Sequence, residues 1–198
     1  MFDLDGTLTV AAHDFASIRA MLGLPAGVGI LEALDALPAE RAAPLRQRLD
    51  DYEYELAGRA VAAKGATTLL TNLQQRRARL GILTRNNLVN AERALGATGL
   101  SGFFDTDALM TRERVRPKPD PEGIRVLLRS WSAHPTSAVM VGDHRLDIEV
   151  GRSAGLATVL IDVEGTAPWR NAADLTVGSL HELATMLEAS PAITEELS

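Results

Sequence analysis

From residue 79 onward the chain alternates short apolar runs with ten-residue stretches of helical spacing, and that alternation leaves few folds open. Leu80–Thr84, Ala138–Gly142 and Ala157–Ile161 are apolar nearly throughout and bounded by turn residues. Strands buried on both faces of a parallel sheet read this way. Between them, residues 87–97 place Leu88, Ala91 and Leu95 on one helical face. Residues 121–130 do the same with Ile124, Leu127 and Leu128, and residues 145–154 with Leu146, Ile148 and Val150. Strands alternating with helices of this length predict βαβ units: an α/β, Rossmann-like parallel sheet with helices on both faces.

Residues 12–65 break the alternation. They hold no convincing strand and are rich in Ala, Leu, Arg and Glu at helical spacing. The spacing predicts one helix from Phe15 to Leu22 stopping at Gly23, a second from about Gly29 to Ala36, and a third from roughly Pro44 to Ala63 with Pro44 in its first turn. Gly65 and the stretch Thr7–Ala12 are the natural hinges. The expected organisation is a core of residues 1–11 and 66–198, with a small all-helical cap, residues 12–65, inserted after the first strand. Only Met1 and Phe2 precede the Asp-rich turn at the start, where an apolar strand is expected, and this leaves open that the true start lies upstream.

The 198 residues suffice for one α/β domain and a modest insertion, and too few remain for a second full domain. Acidic residues outnumber basic ones by 26 to 20, a net charge of −6 that argues against general nucleic-acid or anionic-membrane binding. No apolar run reaches the roughly 18 residues of a membrane helix. Absence of cysteine removes disulfides, Cys-based zinc sites and thiol catalysis. His13, His134, His144 and His181 have no metal-ligand spacing. With no leader pattern at the start, the expected location is the cytoplasm. Any anionic ligand must therefore be bound by a local site.

Four clusters sit at expected strand ends or the adjoining loops, where open parallel sheets bind ligands. Phe2-Asp3-Leu4-Asp5-Gly6-Thr7-Leu8 sets two carboxylates two residues apart before a Gly that lets backbone N–H groups approach an anion. Gly81-Ile82-Leu83-Thr84-Arg85-Asn86-Asn87 ends a strand on a hydroxyl and leads into a helix N-terminus suited to phosphate. Arg116-Pro117-Lys118-Pro119-Asp120-Pro121 brackets a lysine with prolines that fix its backbone. Gly142-Asp143-His144-Arg145-Leu146-Asp147 can turn two carboxylates toward one pocket. Taken singly, each has a plain alternative: an Asp-Gly turn, a helix cap, a solvated lysine, a second cap. Independent caps and turns would not be expected to fall in this order at successive strand ends.

These clusters resemble the four signature motifs of the haloacid dehalogenase superfamily, over residues 1–11 and 66–165. The helical insert resembles the C1 cap of its phosphoglycolate phosphatase-like and β-phosphoglucomutase-like branch, whose members are mostly magnesium-dependent phosphatases. The chain departs from that branch at Thr9-Val10, in the shortness of the cap, and at Lys64-Gly65-Ala66, departures that bear on the substrate.

The resemblance implies hydrolysis of a small phosphorylated metabolite through an aspartyl-phosphate. Asp3 is implied as nucleophile and metal ligand. Asp5 is implied as general acid and base, lending its carbonyl to the metal, and Asp143 as a further ligand with Asp147 at or just behind that shell. Gly6, Thr84, the amides of Arg85 and Asn86, and Lys118 are implied as the phosphate site. Charge supports Mg²⁺: the three carboxylates Asp3, Asp143 and Asp147 are offset by one divalent ion and Lys118, and oxygen is the only ligand type on offer. Asp5 argues against a dehalogenase. Alternatives are a phosphosugar mutase, for which the short cap offers few groups to hold a second phosphate, and a non-catalytic phosphate-binding or regulatory protein, which would not require Asp5. Lys64 and Arg85 are the candidate specificity groups, and a monomer or weak dimer is the expected state.

Overall fold

The computed structural model describes residues 1–11 and 14–189. The hinge and cap positions Ala12 and His13, and residues 190–198 of the expected core, lie outside the described residues. In chain order the helices and strands are α1 (Phe15–Leu22), α2 (Ile30–Asp35), α3 (Ala39–Ala57), α4 (Ala66–Gln75), β1 (Ile82–Leu83), α5 (Leu88–Thr98), β2 (Leu109–Met110), α6 (Glu122–Trp131), β3 (Val139–Gly142), α7 (Arg145–Ser153), β4 (Ala157–Ile161), β5 (Leu175–Val177) and α8 (Leu180–Ala189).

Every ladder between these strands is parallel: β1 pairs with β2, and β3, β4 and β5 follow one another. Phe2 joins the two groups, bridging Ile82 on one side and Val141 on the other. The order across the sheet is therefore β2, β1, Phe2, β3, β4, β5. The alternating pattern required such a sheet, since parallel strands need a crossover between them. Apolar clusters cover it on two faces, one around Phe2, Leu70 and Leu95 and the other around Leu83, Ile124 and Met140.

The helices of the insert have an apolar cluster of their own, Ile18, Leu22, Leu34 and Leu49. Burying such side chains contributes about 1.5–3 kcal/mol each, which short helices need because they are marginal alone. Helix α1 matches its expected span and stops at Gly23 in the left-handed conformation (φ 65°). Helix α3 differs from expectation at both ends. It begins after Pro38 and carries Pro44 inside it. Pro44 lies near the helix start, so its missing N–H forgoes only a bond to the first-turn carbonyl of Glu40. The helix ends at Ala57 because residues 61–63 turn to pair with 8–10: Ala63 N–H donates to Leu8 O and Val10 N–H to Val61 O, both at 2.9 Å. The paired segments carry the chain into and out of the insert. Gly65 then opens α4 with φ +90°, and a Cβ there would lie 2.3 Å from the His181 nitrogen.

Candidate active site

Asp3 leaves the middle of the sheet with main-chain bonds on both sides. Phe2 N–H donates to Gly81 O, Leu83 N–H to Phe2 O and Asp3 N–H to Val141 O, each at 2.9 Å. The two residues before Asp3 thus serve as a central strand, because their neighbours β1 and β3 supply the ladder. The Asp3 carboxylate is nearly buried at 9% exposure, and its Oδ1 accepts from the Leu4 N–H and from Lys118 Nζ, both at 2.7 Å.

Lys118 is 4% exposed and spans two carboxylates, reaching Asp147 Oδ1 at 2.7 Å as well. Burial works to discharge this ammonium, but Asp147 and Asp3 together outweigh it and raise its pKa, so it stays charged. Asp147 is wholly buried, and its second oxygen accepts the His144 N–H at 3.0 Å. It follows that Asp147 holds the lysine and the turn into α7 with both oxygens.

Asp143 follows β3, and its Oδ1 accepts from Thr7 Oγ at 2.9 Å. Burial raises its pKa, and the charges of Asp3 and Asp147 raise it further. Burial likewise raises Asp3, against the pull of Lys118. Oxygens of Asp3, Asp143 and Asp147 lie within 4.8 Å of one another. Three carboxylates facing one ammonium leave negative charge unbalanced, and the donors are all oxygen, so the cluster could hold a hard divalent cation.

Gly6 lets the loop close over this cluster: its φ is +84°, and a Cβ would stand 2.4 Å from Asp143 Oδ2. Thr84 is buried at the end of β1, and its hydroxyl accepts the Asn86 N–H at 3.1 Å. The Asn86 side chain donates to Asp5 Oδ2 at 2.5 Å and fixes that carboxylate. Arg85 turns away from the cluster, its guanidinium paired with Glu32 of α2.

A cavity of about 340 Å³ opens above the cluster. Asp3, Asp5, Thr84, Lys118 and Asp143 line its lower side, and Ile18, Arg19, Ile30, Leu31 and Leu49 its upper side. Arg85 and Asn86 are at its wall; Gly6, Asp147 and Lys64 are not among the lining residues. Lys64 is exposed, and its carbonyl accepts the His181 N–H. The hinge lysine singled out from the sequence is thus tied to α8 through its main chain and is not part of the cavity lining.

Sequence reasoning missed several participants. Thr7 had a visible signal, a hydroxyl directly after Gly6. Arg112 had none: it lies between motifs, yet pairs with Asp50 and with Glu53 (3.2 Å), both on α3. His144 lines the cavity beside Asp143, its ring against Trp169 at 5.4 Å between centroids.

A parallel α/β sheet with a carboxylate cluster, a buried lysine and a helical insert over the strand ends defines a class of hydrolases. The sequence profile of the haloacid dehalogenase-like hydrolase family matches residues 12–161. Validoxylamine A 7'-phosphate phosphatase of Streptomyces hygroscopicus subsp. limoneus is 30% identical, over 92% of this chain and 94% of its own. N-acetylmuramic acid 6-phosphate phosphatase of Pseudomonas putida is 30% identical, over 96% of each. Among solved structures, a hydrolase from Pseudomonas syringae superposes with a TM-score of 0.76 at 22% identity, covering 96% of this chain and 98% of that one. The chain belongs to the haloacid dehalogenase-like hydrolase family. It is a hydrolase of the family's phosphatase side, as are the two curated relatives just described. Among the described residues no helix is long and apolar enough to cross a membrane.

Proposed function

We infer that this chain is a Mg²⁺-dependent phosphatase acting on a small phosphate monoester, with Asp3 as the nucleophile. The observation that carries the reading is the buried Lys118 ammonium held at 2.7 Å from both Asp3 and Asp147. A carboxylate can attack a phosphate dianion only where cations offset the repulsion, and here one is built into the nucleophile's own contacts. Lys118 and the Leu4 N–H engage Oδ1 of Asp3, which leaves Oδ2 to form the bond to phosphorus.

As that bond forms, the ester P–O bond breaks and the leaving alkoxide takes a proton from Asp5. Asp5 then receives a proton from the water that hydrolyses the aspartyl-phosphate, releasing phosphate and restoring Asp3. Asn86 is a positioning residue for Asp5. Thr84, the Arg85 amide and Lys118 are the phosphoryl-oxygen partners. Asp3, Asp143 and the Asp5 carbonyl would hold Mg²⁺, which when bound neutralises charge on the phosphoryl oxygens. Asp147 acts from behind, through Lys118. Helices α1–α3 act as the cap that covers the leaving group and excludes water.

Rapid mixing with 4-nitrophenyl phosphate and Mg²⁺ tests this. A hydroxylamine-labile phosphoryl group should appear on Asp3, located by mass spectrometry of the quenched protein. Steady hydrolysis with no phosphoryl-enzyme in any quench would refute the nucleophile assignment.

A further inference from the structure

His144 is held from three sides on the core wall of the cavity. Its main-chain N–H donates to Asp147 Oδ2 at 3.0 Å, its Nδ1 caps α7 by accepting the Leu146 N–H at 3.2 Å, and its ring rests against Trp169. Trp169 belongs to the loop between β4 and β5, which the buried Asp162 carboxylate fastens by accepting the N–H groups of Thr166 at 3.1 Å and Ala167 at 3.2 Å. With Nδ1 an acceptor, the neutral ring carries its proton on Nε2. That N–H makes no hydrogen bond among the described residues, although His144 is exposed and lines the cavity. Capping accounts for Nδ1 alone. Asn or Asp at this position would cap α7 at least as well, so the helix explains neither Nε2 nor the brace from Trp169.

We propose that His144 is a specificity-determining residue on the core side of the cavity, its Nε2–H donating to a hydroxyl oxygen on the alcohol portion of the substrate. The substrate class is then a phosphate monoester of a polyhydroxy alcohol rather than of a plain alkyl alcohol. This rests on the phosphatase reading above and deepens it. His144 directly follows Asp143, so an alcohol whose phosphate is held at Asp3 and Lys118 leads its first carbons past this ring. The acceptor is a neutral oxygen because the cations whose charge reaches the ring are already paired: Lys118 with Asp3 and Asp147, Arg85 with Glu32, and Arg145 with Glu149 at 3.3 Å. No positive charge is left over on this side for an acid. A ring held on one edge and one face also loses little freedom when the substrate arrives, which favours recognition by a single hydrogen bond.

The test uses the full chain with Mg²⁺ and four probes: propyl phosphate and its 2-hydroxy, 3-hydroxy and 2,3-dihydroxy derivatives. Because His144 is exposed, water takes its N–H when the substrate offers nothing. Wild-type kcat/KM should therefore favour a hydroxylated ester over propyl phosphate by roughly two- to tenfold, the range of one net hydrogen bond. Any intrinsic advantage of the hydroxyl survives substitution of the protein, so the variants show whether His144 carries the preference. Asn sets an acceptor where Nδ1 stands and nothing where Nε2 stands, and Gln does the converse. His144→Asn should keep the melting temperature near wild type and erase the preference through KM, whereas His144→Gln should lower the melting temperature and retain part of the preference. His144→Phe, with a ring against Trp169 but neither nitrogen, should erase it as well. The proposal is overturned if wild type does not distinguish the hydroxylated esters from propyl phosphate, or if the preference survives His144→Asn or His144→Phe, as it would were the residue only a cap. A wild-type chain that fails on 4-nitrophenyl phosphate overturns the phosphatase reading and this proposal with it, an outcome distinct from the others.

Discussion

Replacing Lys118 with Met keeps a linear apolar stem of similar length but removes the ammonium. Two carboxylates then face each other without a cation, Asp3 at 9% and Asp147 at 0% exposure. Breaking a buried pair by removing one partner costs about 3–5 kcal/mol. In a chain of this length that lowers the melting temperature by roughly 6–20 °C. The loss depends on pH, and its sign follows from Asp3. Burial already raises the Asp3 pKa in the native state, and Lys118 is the chief influence pulling it down. Without Lys118 it rises further above its unfolded value. The contribution of a group raised in this way is fully present below the unfolded pKa, near 4, and is lost as pH increases through the folded one. The variant should therefore recover on acidification, because Asp3 takes up a proton. Urea unfolding followed by circular dichroism in EDTA should give a gap between wild type and Lys118→Met of about 3–5 kcal/mol at pH 8, narrowing by at least about 1 kcal/mol at pH 5. A gap under about 1 kcal/mol at pH 8, or one independent of pH, would show that the ammonium does not hold these carboxylates together.

Asp3→Asn should abolish turnover of every ester, whereas Asp5→Asn should still transfer phosphoryl groups from nitrophenyl phosphate, whose leaving group needs no proton; equal, near-wild-type rates in both would contradict the assigned roles. Chelation should remove activity and Mg²⁺ restore it, with Ca²⁺ inhibiting because its looser coordination relaxes the in-line geometry. Mg²⁺ should also raise the melting temperature more at pH 8 than at pH 5, since burial and the charges of Asp3 and Asp147 push Asp143 up to about 7 and protons compete with the ion below that; a pH-independent increment would place the ion elsewhere. Gly6→Ala forces a side chain into φ +84° and within 2.4 Å of Asp143 Oδ2, so it should cost more than about 1 kcal/mol in urea unfolding and most of kcat; a variant with wild-type kcat would show that the loop can move aside.

The parallel sheet was legible because three of its strands are apolar runs long enough to be seen: β1, β3 and β4 fall within Leu80–Thr84, Ala138–Gly142 and Ala157–Ile161. Strands β2 and β5 were not, being Leu109-Met110 and Leu175-Thr176-Val177, too short to show a pattern and fixed by the ladders beside them. Helices α4 and α8 escaped for a different reason. Helix α4 reads Ala-Thr-Thr-Leu-Leu-Thr-Asn-Leu-Gln-Gln, and its three threonines weaken helical propensity until packing against α8 decides the matter. At the site, residues that act through local motifs were readable, and those that act across the fold were not. Asp3, Asp5, Thr84 and Asp143 lie in short signatures at strand ends, and Lys118 in one in the loop before α6. Arg112 gains its partners Asp50 and Glu53 only when α3 lies over the strand ends, and no spacing along the chain announces that.

Three consecutive residues after β1 divide their contacts between chemistry and the insert. Arg85 pairs with Glu32, Asn86 donates to Asp5, and Asn87 donates to Asp50 at 3.3 Å. The loop that fixes the proposed acid–base carboxylate is thus the loop that grips α2 and α3. The two sets of contacts differ in strength for a physical reason. Asp3, Lys118 and Asp147 are shielded from water and tied into the sheet by the ladder around Phe2, so they keep their geometry whatever the insert does. Glu32 and Asp50 have side chains 50% and 39% exposed, and exposed pairs contribute about 0–1 kcal/mol each. Were the insert to lift, little would be lost at these two contacts, but the Arg112–Glu53 pair, with side chains only 16% and 12% exposed, would break as well, while the contacts among Asp3, Lys118 and Asp147 would remain. Lifting would also release the grip on residues 85 and 87, on either side of the residue that orients Asp5. If the insert opens and closes as proposed, closure would restore that grip, and the short loop shared by the two tasks would couple the positioning of Asp5 to the covering of the leaving group.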